Sequence, residues 1–300
     1  MTSSTAPASA DGANVGPGSS PSAQPSGRSL SGRTMLVSGG SRGIGLAIAL
    51  RAARDGANIV LLAKTGEPHP SLQGTVFTAA EQLRAAGGQA LPLVGDVRKD
   101  DDVAAAVEAA VRTFGGIDVV LNNASAIDLS TTDALSMKRY DLMADINVRG
   151  SFMLSKFSLP ALRRSANPHI LTLSPPLNMT PHWAGLHLGY TMAKYGMSMT
   201  TLGLAEELKD DGIAVNSLWP CTIIDTAAIR NLPGGERIAK AARRPDIMAD
   251  AAHAILTRPS RGCTGNFFTD EEVLGHEGIT DFSGYSLGAP EDRLVPDIFL

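Results

Sequence analysis

The sequence predicts a single α/β domain in which seven parallel strands form a sheet covered by helices on both faces. Three observations predict it. Short apolar runs alternate with helical patterns from Arg33 almost to Asp270. Several helical patterns stop on glycine, the residue that best accepts the left-handed backbone at a helix end. The first apolar run, Thr34–Ser38, leads into a glycine-rich turn and then a helix, the order of a strand–turn–helix unit in a parallel sheet.

In chain order, Gly43–Arg54 reads as a helix closed by Gly56, and Asn58–Ala63 as a buried strand. Phe77–Ala86 is helical up to Gly87 and Gly88, and the strand Ala90–Gly95 follows. Asp100–Thr113 is a helix whose three leading aspartates suit the positive end of its dipole. Gly115 and Gly116 stop it before the strand Ile117–Leu121. Two helical stretches fill 133–166, with a break near Asn147. His169–Leu173 is a strand, His187–Lys209 a long helix and Ile213–Leu218 a strand; a helix near 246–257 and a strand near 266–269 complete the pattern. Residues 1–29, rich in Ser, Ala, Pro and Gly, read as a disordered leader with nothing to bury. Residues 30–270 read as the folded domain, and 271–300 as an irregular extension packed on the body or on a neighbouring subunit.

The composition excludes several classes. At 43% hydrophobic and 19% charged residues, the chain has material for an ordinary core. A formal net charge of −4 argues against a nucleic-acid footprint, which needs a clustered basic surface. No apolar run approaches the ~20 residues that span a bilayer, and the start of the chain lacks the basic and apolar regions of a secretory signal. Cys221 and Cys263 are too few for a disulfide framework or a zinc set, and they fit a reducing, cytoplasmic setting. The scattered histidines lack zinc-site spacing, so no metal is expected.

The turn Ser38-Gly39-Gly40-Ser41-Arg42-Gly43-Ile44-Gly45 has the character of a phosphate cradle. Missing side chains let backbone approach an anion, and the following helix offers N–H groups and partial positive charge. The end of the second strand selects the nucleotide. Dinucleotide folds place an acid there to hold a ribose 2′-hydroxyl, whereas a cation or the lack of an acid suits a 2′-phosphate. This chain has Ala63-Lys64-Thr65, and Arg42 adds a second cation from the glycine turn. The expected cofactor is therefore NADP(H).

Tyr190 and Lys194 stand four apart in the helix His187–Lys209, and so share one face. A phenol normally ionises near pH ~10, but an adjacent ammonium favours the phenolate. Such a tyrosine exchanges a proton with an alcohol or a carbonyl near neutral pH.

Gly39, Gly43 and Gly45 form GxxxGxG, and together with Tyr190-x-x-x-Lys194 they make the chain resemble the short-chain dehydrogenase/reductase family. Ser38 stands where the family usually has Thr. Resemblance to the hydroxysteroid dehydrogenase-like branch rests on Asn167-Pro168-His169-Ile170-Leu171, Ser174-Pro175-Pro176-Leu177-Asn178, Tyr190 through Met197, Leu218-Trp219-Pro220, the loop Lys64–Pro70 and Thr264-Gly265-Asn266-Phe267. The resemblance covers about residues 30–300 and omits the sterol-carrier domain that longer members of the branch add.

The resemblance implies a Rossmann-type fold and reversible hydride transfer between NADP(H) and a carbonyl or secondary alcohol. It implies pyrophosphate contacts from Gly39, Ser41, Arg42, Gly43, Ile44 and Gly45, and adenine contacts from Asp96 and Val97. It implies a cofactor wall from Asn123, Ala124 and Ser125, with Ser125 in place of the usual Gly. It assigns ribose contacts to Tyr190 and Lys194, and the nicotinamide side to Pro220 and Thr222. Asn147 is implied to kink its helix and hold a relay water. The family's serine, thirteen residues before the tyrosine, is here Leu177. Ser174 at the strand end either serves as the catalytic hydroxyl or is a plain strand-end residue, with Asn178 and Thr180 as other donors. Trp183 and His182 either line a substrate pocket or pack their loop, and 221–245 resembles the family's substrate lid. Homodimers or homotetramers are implied as well. Two other functions fit the same residues: an NADP(H)-binding protein with little catalysis, and an acyl-thioester-linked reductase of lipid metabolism.

Overall fold

The computed structural model describes residues 1–2, 28–68, 74–231 and 234–300. Most of the leader lies outside the described residues, as do His69 and Pro70 of the loop after the second strand and Leu232 and Pro233 of the lid.

Seven strands form one sheet: β1 Thr34–Ser38, β2 Asn58–Ala63, β3 Gln89–Val94, β4 Val119–Asn122, β5 His169–Thr172, β6 Ala214–Trp219 and β7 Phe267–Thr269. Their order is β3-β2-β1-β4-β5-β6-β7, and every neighbouring pair is parallel. The helices are α1 Gly43–Arg54, α2 Val76–Ala85, α3 Asp100–Phe114, α4 Met137–Met143, α5 Gly150–Leu162, α6 Pro181–Leu186, α7 Leu188–Glu207, α8 Ala227–Arg230, α9 Gly235–Ala239, α10 Asp246–Leu256 and α11 Asp270–His276. This is the single Rossmann-type domain that the alternating pattern predicts.

Alternate residues of a strand point to opposite faces. Met35, Val37, Ile59, Leu61, Val119 and Leu121 join α1 and α10 in one core. Leu36, Val60, Leu62 and Val120 join α3 and α5 in the other. Both faces of the central strands are dry, so those strands read as continuous apolar runs rather than alternating ones. β3 lies at the sheet edge, where Pro92 is tolerated because an edge strand has one unpaired side.

From β1 the chain builds β2 and β3 on one side, then crosses back to begin β4 on the other. Ser38 is in register with Leu62 on one side and Asn122 on the other, so the carboxyl ends of the central strands are level. Reversal of strand order at such a point opens a crevice beyond those ends.

Two expectations are corrected. The break near Asn147 is not a gap between helices but a six-residue π-helical turn, Ala144–Arg149, running directly from α4 into α5. The last thirty residues are not wholly irregular, because α11 opens there on a capping box. Glu272 N–H donates to the Thr269 hydroxyl, and Thr269 N–H donates to the Glu272 carboxylate. The Thr-x-x-Glu spacing is visible in the sequence as a helix start.

Beyond α11 the extension is tied to the domain body. Arg244 N–H donates to the Tyr285 carbonyl at 2.8 Å, and Val295 N–H to the Ala241 carbonyl at 3.0 Å. Arg243, 1% exposed, pairs with Glu271 of α11 and with Glu291 of the extension, and its guanidinium lies 5.3 Å from the Phe282 ring centre. Removing one partner of a buried pair strands the others. Both glutamates keep access to water, which reduces that cost. Arg243→Ala is expected to lower unfolding free energy by about 1–3 kcal/mol in denaturant titration.

Candidate functional site

The glycine turn lies at the crevice, bolted to the end of β4. The Ser38 hydroxyl accepts the N–H groups of Asn123 and Ala124, each at 3.1 Å, and donates to the Leu121 carbonyl. The Asn123 amide donates to the carbonyls of Ser38 and Gly39 at 3.0 and 2.9 Å. Gly39 has φ +71°, and a Cβ there would meet Ala124 Cα and Asn123 Nδ2 at 2.9 Å. No other residue fits that turn without moving it. Gly43 has φ +60° where α1 begins. Ser41 and Gly45 are buried, and Ile44 is half-buried. Arg42, in the N-cap position of α1, supplies no side-chain cap, and the first turn holds no acid. Among the described residues, the N-cap side chain does not take the first N–H groups of α1, an arrangement that suits an anion there.

A cationic corner lies beside the ends of β2 and β3. Lys64, more than half exposed, places Nζ 3.4 Å from Asp96 Oδ2. Arg98 grips the same carboxylate, with Nη2 at 2.6 Å from Oδ2 and Nε at 3.0 Å from Oδ1. Arg42 Nη2 donates to the Gly74 carbonyl at 2.6 Å. Val97 is buried next to Asp96. Sequence reasoning missed Arg98. Its signal was the spacing of two from an aspartate, since Arg98 N–H closes an Asx turn on Asp96 Oδ1 at 3.1 Å.

Tyr190 and Lys194 are both buried near the start of α7. Lys194 Nζ donates to the Leu173 carbonyl at 2.8 Å and lies 5.0 Å from the Trp219 ring centre. It therefore sits between the carboxyl ends of β5 and β6. α7 approaches the π turn closely because position 196 is glycine; a Cβ there would lie 2.6 Å from Val148 Cγ2. Asn147, fully buried in that turn, spends its amide on the β4 loop. Its Oδ1 accepts Ala126 N–H at 2.8 Å, and its Nδ2 donates to the Ala126 carbonyl at 3.0 Å. Ser125 is exposed on the same loop. Pro220 is buried at the end of β6, and the Thr222 hydroxyl is buried without a hydrogen-bond partner.

Of the two readings of Ser174, the structure fits the plain strand-end residue. Ser174 is not brought to the phenol. It is fully buried and its hydroxyl bonds that of Ser217 at 2.8 Å, which in turn donates to Thr201. The Ser174 hydroxyl is thus engaged between β5 and β6. Burial, more than any neighbouring charge, governs the Tyr190 phenol in this arrangement. Burial pushes the phenol up, and the Asp297 carboxylate adds to it; burial likewise pulls the Lys194 ammonium down.

The cause is a segment whose role the sequence did not show. Phe299, fully buried, stacks on Tyr190 with ring centres 6.1 Å apart and planes at 28°. Trp183, His187, Tyr195 and Trp219 complete an aromatic box around it. Trp183 therefore lines the crevice, while His182 packs on Trp183. Asn178 Nδ2 donates to the Phe299 carbonyl at 3.3 Å. The apolar run Leu294-Val295-Pro296-Asp297-Ile298-Phe299-Leu300 marks a segment with something to bury, but not that its partner is a tyrosine over a hundred residues away.

Among the described residues, no group of His, Cys, Asp and Glu is arranged to hold a metal, and no helix is long and apolar enough to cross a membrane.

The Arg98 hydrogen bonds, acting first, bring Asp96 down from 3.8 to about 2. A depressed carboxylate pKa contributes stability above its unfolded value and loses it as pH falls through the folded one. Asp96→Asn is expected to cost about 1–2 kcal/mol at pH ~7, the gap closing between pH ~4 and ~2 in denaturant unfolding.

The short chain dehydrogenase family profile matches residues 33–236. Hydroxysteroid dehydrogenase-like protein 2 of Xenopus tropicalis is 56% identical over 271 residues, which are 90% of this chain and 64% of the relative. The chain thus spans just under two thirds of that relative's length. A crystal structure from Xanthomonas campestris is 56% identical with a TM-score of 0.87, covering 91% of this chain and 99% of that one. A short chain dehydrogenase from Mycobacterium thermoresistibile is 52% identical with a TM-score of 0.86, covering 91% of this chain and 96% of that one. The chain belongs to the short-chain dehydrogenase/reductase family, in its hydroxysteroid dehydrogenase-like branch.

Proposed function

We propose that the protein is an NADP(H)-dependent oxidoreductase that interconverts a carbonyl and a secondary alcohol. The observation that carries this reading is the convergence of the glycine turn and the Tyr190–Lys194 face on one crevice. Family and fold imply a nicotinamide nucleotide. The residues present fit one. The start of α1 has no side-chain cap, the Thr222 hydroxyl is buried with no partner, and cations flank the end of β2.

In this reading the backbone of Gly39, Ser41, Gly43, Ile44 and Gly45 holds the pyrophosphate at the start of α1. Lys64 and Arg42, with Arg98 beside them, hold the 2′-phosphate. Asp96 and Val97 meet the adenine, and Asn123, Ala124 and Ser125 wall the ribose. Pro220 and Thr222 meet the nicotinamide amide. The bound cofactor supplies or accepts the hydride. Tyr190 gives its proton to the substrate oxygen in reduction and takes it back in oxidation. Lys194 orients the ribose and restrains the phenol. Asn147 fixes the π turn; its side-chain amide is spent on Ala126, so any relay water it holds must rest on its backbone. Two free cysteines fit a reducing, cytoplasmic setting. Phe152 of α5 with Met192, Met199 and Leu202 of α7 expose apolar surface that suits a second copy of the chain, giving a homodimer or homotetramer.

One rival has a specific observation behind it. Ser174 is turned inward and Tyr190 is covered, which suits an NADP(H)-binding protein with little turnover. A carbonyl panel followed by NADPH absorbance separates the two: turnover supports the enzyme, and binding without turnover on every member supports the rival. In the enzyme, Tyr190→Phe is expected to lose about 10²–10⁴-fold in kcat while its NADPH affinity, read by fluorescence, is retained. Lys64→Ala is expected to raise the KM for NADPH roughly tenfold and leave that for NADH unchanged. A Tyr190→Phe protein of normal activity would overturn the mechanism.

A further inference from the structure

Residues Leu294–Leu300 lie as a strap along the mouth of the crevice. The Val295 carbonyl accepts Ile223 N–H at 2.9 Å, and the Cys221 carbonyl accepts Asp297 N–H at 3.0 Å. Trp219 Nε1 donates to the Ile298 carbonyl at 2.9 Å. At the end of this path Phe299 adopts φ +77°, the only positive φ among the described non-glycine residues. A bulky residue holds such a backbone only where its surroundings over-determine it. Here the surroundings are the five rings of the box.

The box is not matched to Phe299 in every respect. His187, 8% exposed, meets the Phe299 ring edge-on at 6.3 Å, and its Nε2 is buried with no hydrogen-bond partner. A phenyl ring leaves that polar atom unsatisfied, at the full cost of its desolvation. Meanwhile Phe299 covers the very tyrosine assigned to proton transfer, and its backbone carbonyl takes the Asn178 amide. With Ser174 buried, Asn178 is a side-chain donor beside this box that holds a carbonyl.

We propose that the 294–300 strap is a displaceable occupant of the carbonyl pocket. The pocket takes carbonyl compounds that carry a phenyl-sized flat group two carbons from the carbonyl, with that carbonyl on the Asn178 amide. Phe299 has this layout within one residue: carbonyl, Cα, Cβ and ring. The proposal rests on the reading of the crevice as a carbonyl site. It adds a substrate class and a gate: the strap must leave before a substrate reaches Tyr190.

The test uses 4-phenyl-2-butanone, which has the same layout, and 2-butanone, which lacks the ring. In the wild-type protein, phenylbutanone is expected to speed hydrogen exchange at the Val295 and Asp297 amides, and 2-butanone is not. Unchanged or slowed exchange overturns the proposal, because the strap is then a fixed wall. The chain's two tryptophans, Trp183 and Trp219, both line the box, so their emission reports its occupancy. By that signal Phe299→Ala is expected to bind phenylbutanone on the order of tenfold tighter, as removal of a competing internal state requires; weaker binding overturns the proposal. Should that variant fail to fold, the wild-type exchange decides alone. These readouts report binding. A strap released by phenylbutanone without turnover of any carbonyl supports the gate and overturns the enzyme reading. Turnover with a strap that stays protected does the reverse.

Discussion

The site depends on the hydrogen bonds by which Ser38 and Asn123 tie the end of β1 to the end of β4. Strand order reverses between these two strands, and these bonds carry their pairing past the last ladder residues, Ser38 and Asn122. With the bolt in place, the glycine turn and the β4 loop move as one piece. The same loop is gripped by Asn147 through the Ala126 backbone, and the π turn carrying Asn147 meets α7 where Gly196 lets it approach. A continuous set of short contacts thus runs from the anion-binding start of α1 to the helix that carries Tyr190. Backbone amides and two asparagines set this geometry, which suits a site that must hold a long cofactor at one end and a small reacting group at the other.

The fold was legible because it follows from local rules. Glycine stops at 56, 87, 88 and 115, together with apolar runs buried on both faces, place the seven strands and the helices α1, α2, α3, α7 and α10 to within a residue or two, while the stretch read as 133–166 runs 137–162 and the short helices α6, α8, α9 and α11 were not read. The capping box at Thr269 and Glu272 follows the same kind of rule and was legible too, though the reading passed over it. The π turn was legible only as a break, since an asparagine at 147 says that the helix is interrupted and not how. Within the site, the glycine turn and the Tyr190–Lys194 pair carry fixed spacings and were found from them. Ser174 stayed open between two readings because the Pro175-Pro176 pair gives no sign of which way the preceding hydroxyl turns; that depends on Ser217, forty-three residues away. Phe299 was invisible for the same reason, because its partners lie on β6, α6, α7 and the residue between the two helices.

The covered tyrosine explains a disagreement between the motif and the electrostatics. The motif asks a lysine to ease ionisation of a phenol, whereas here burial raises the phenol and lowers the lysine, and the Asp297 carboxyl opposes the phenolate. Burial in turn raises that carboxyl well above its ordinary range. Burial is the largest cause of all three shifts, and Phe299 of the strap is part of the cover over Tyr190. In the proposed account this is a resting arrangement of the pair, and withdrawal of the strap removes the carboxyl and readmits water.

The proposed function has the crevice take a 2′-phosphorylated nicotinamide nucleotide, with Lys64 at the end of β2, where NAD-binding folds place an acid, and Arg42 in the glycine turn. Calorimetric titration of the wild-type protein with NADPH and with NADH tests it most directly. The account predicts one NADPH per chain, bound at least about tenfold, or ~1.4 kcal/mol, more tightly than NADH. Equal affinity for the two, or a preference for NADH, would contradict it.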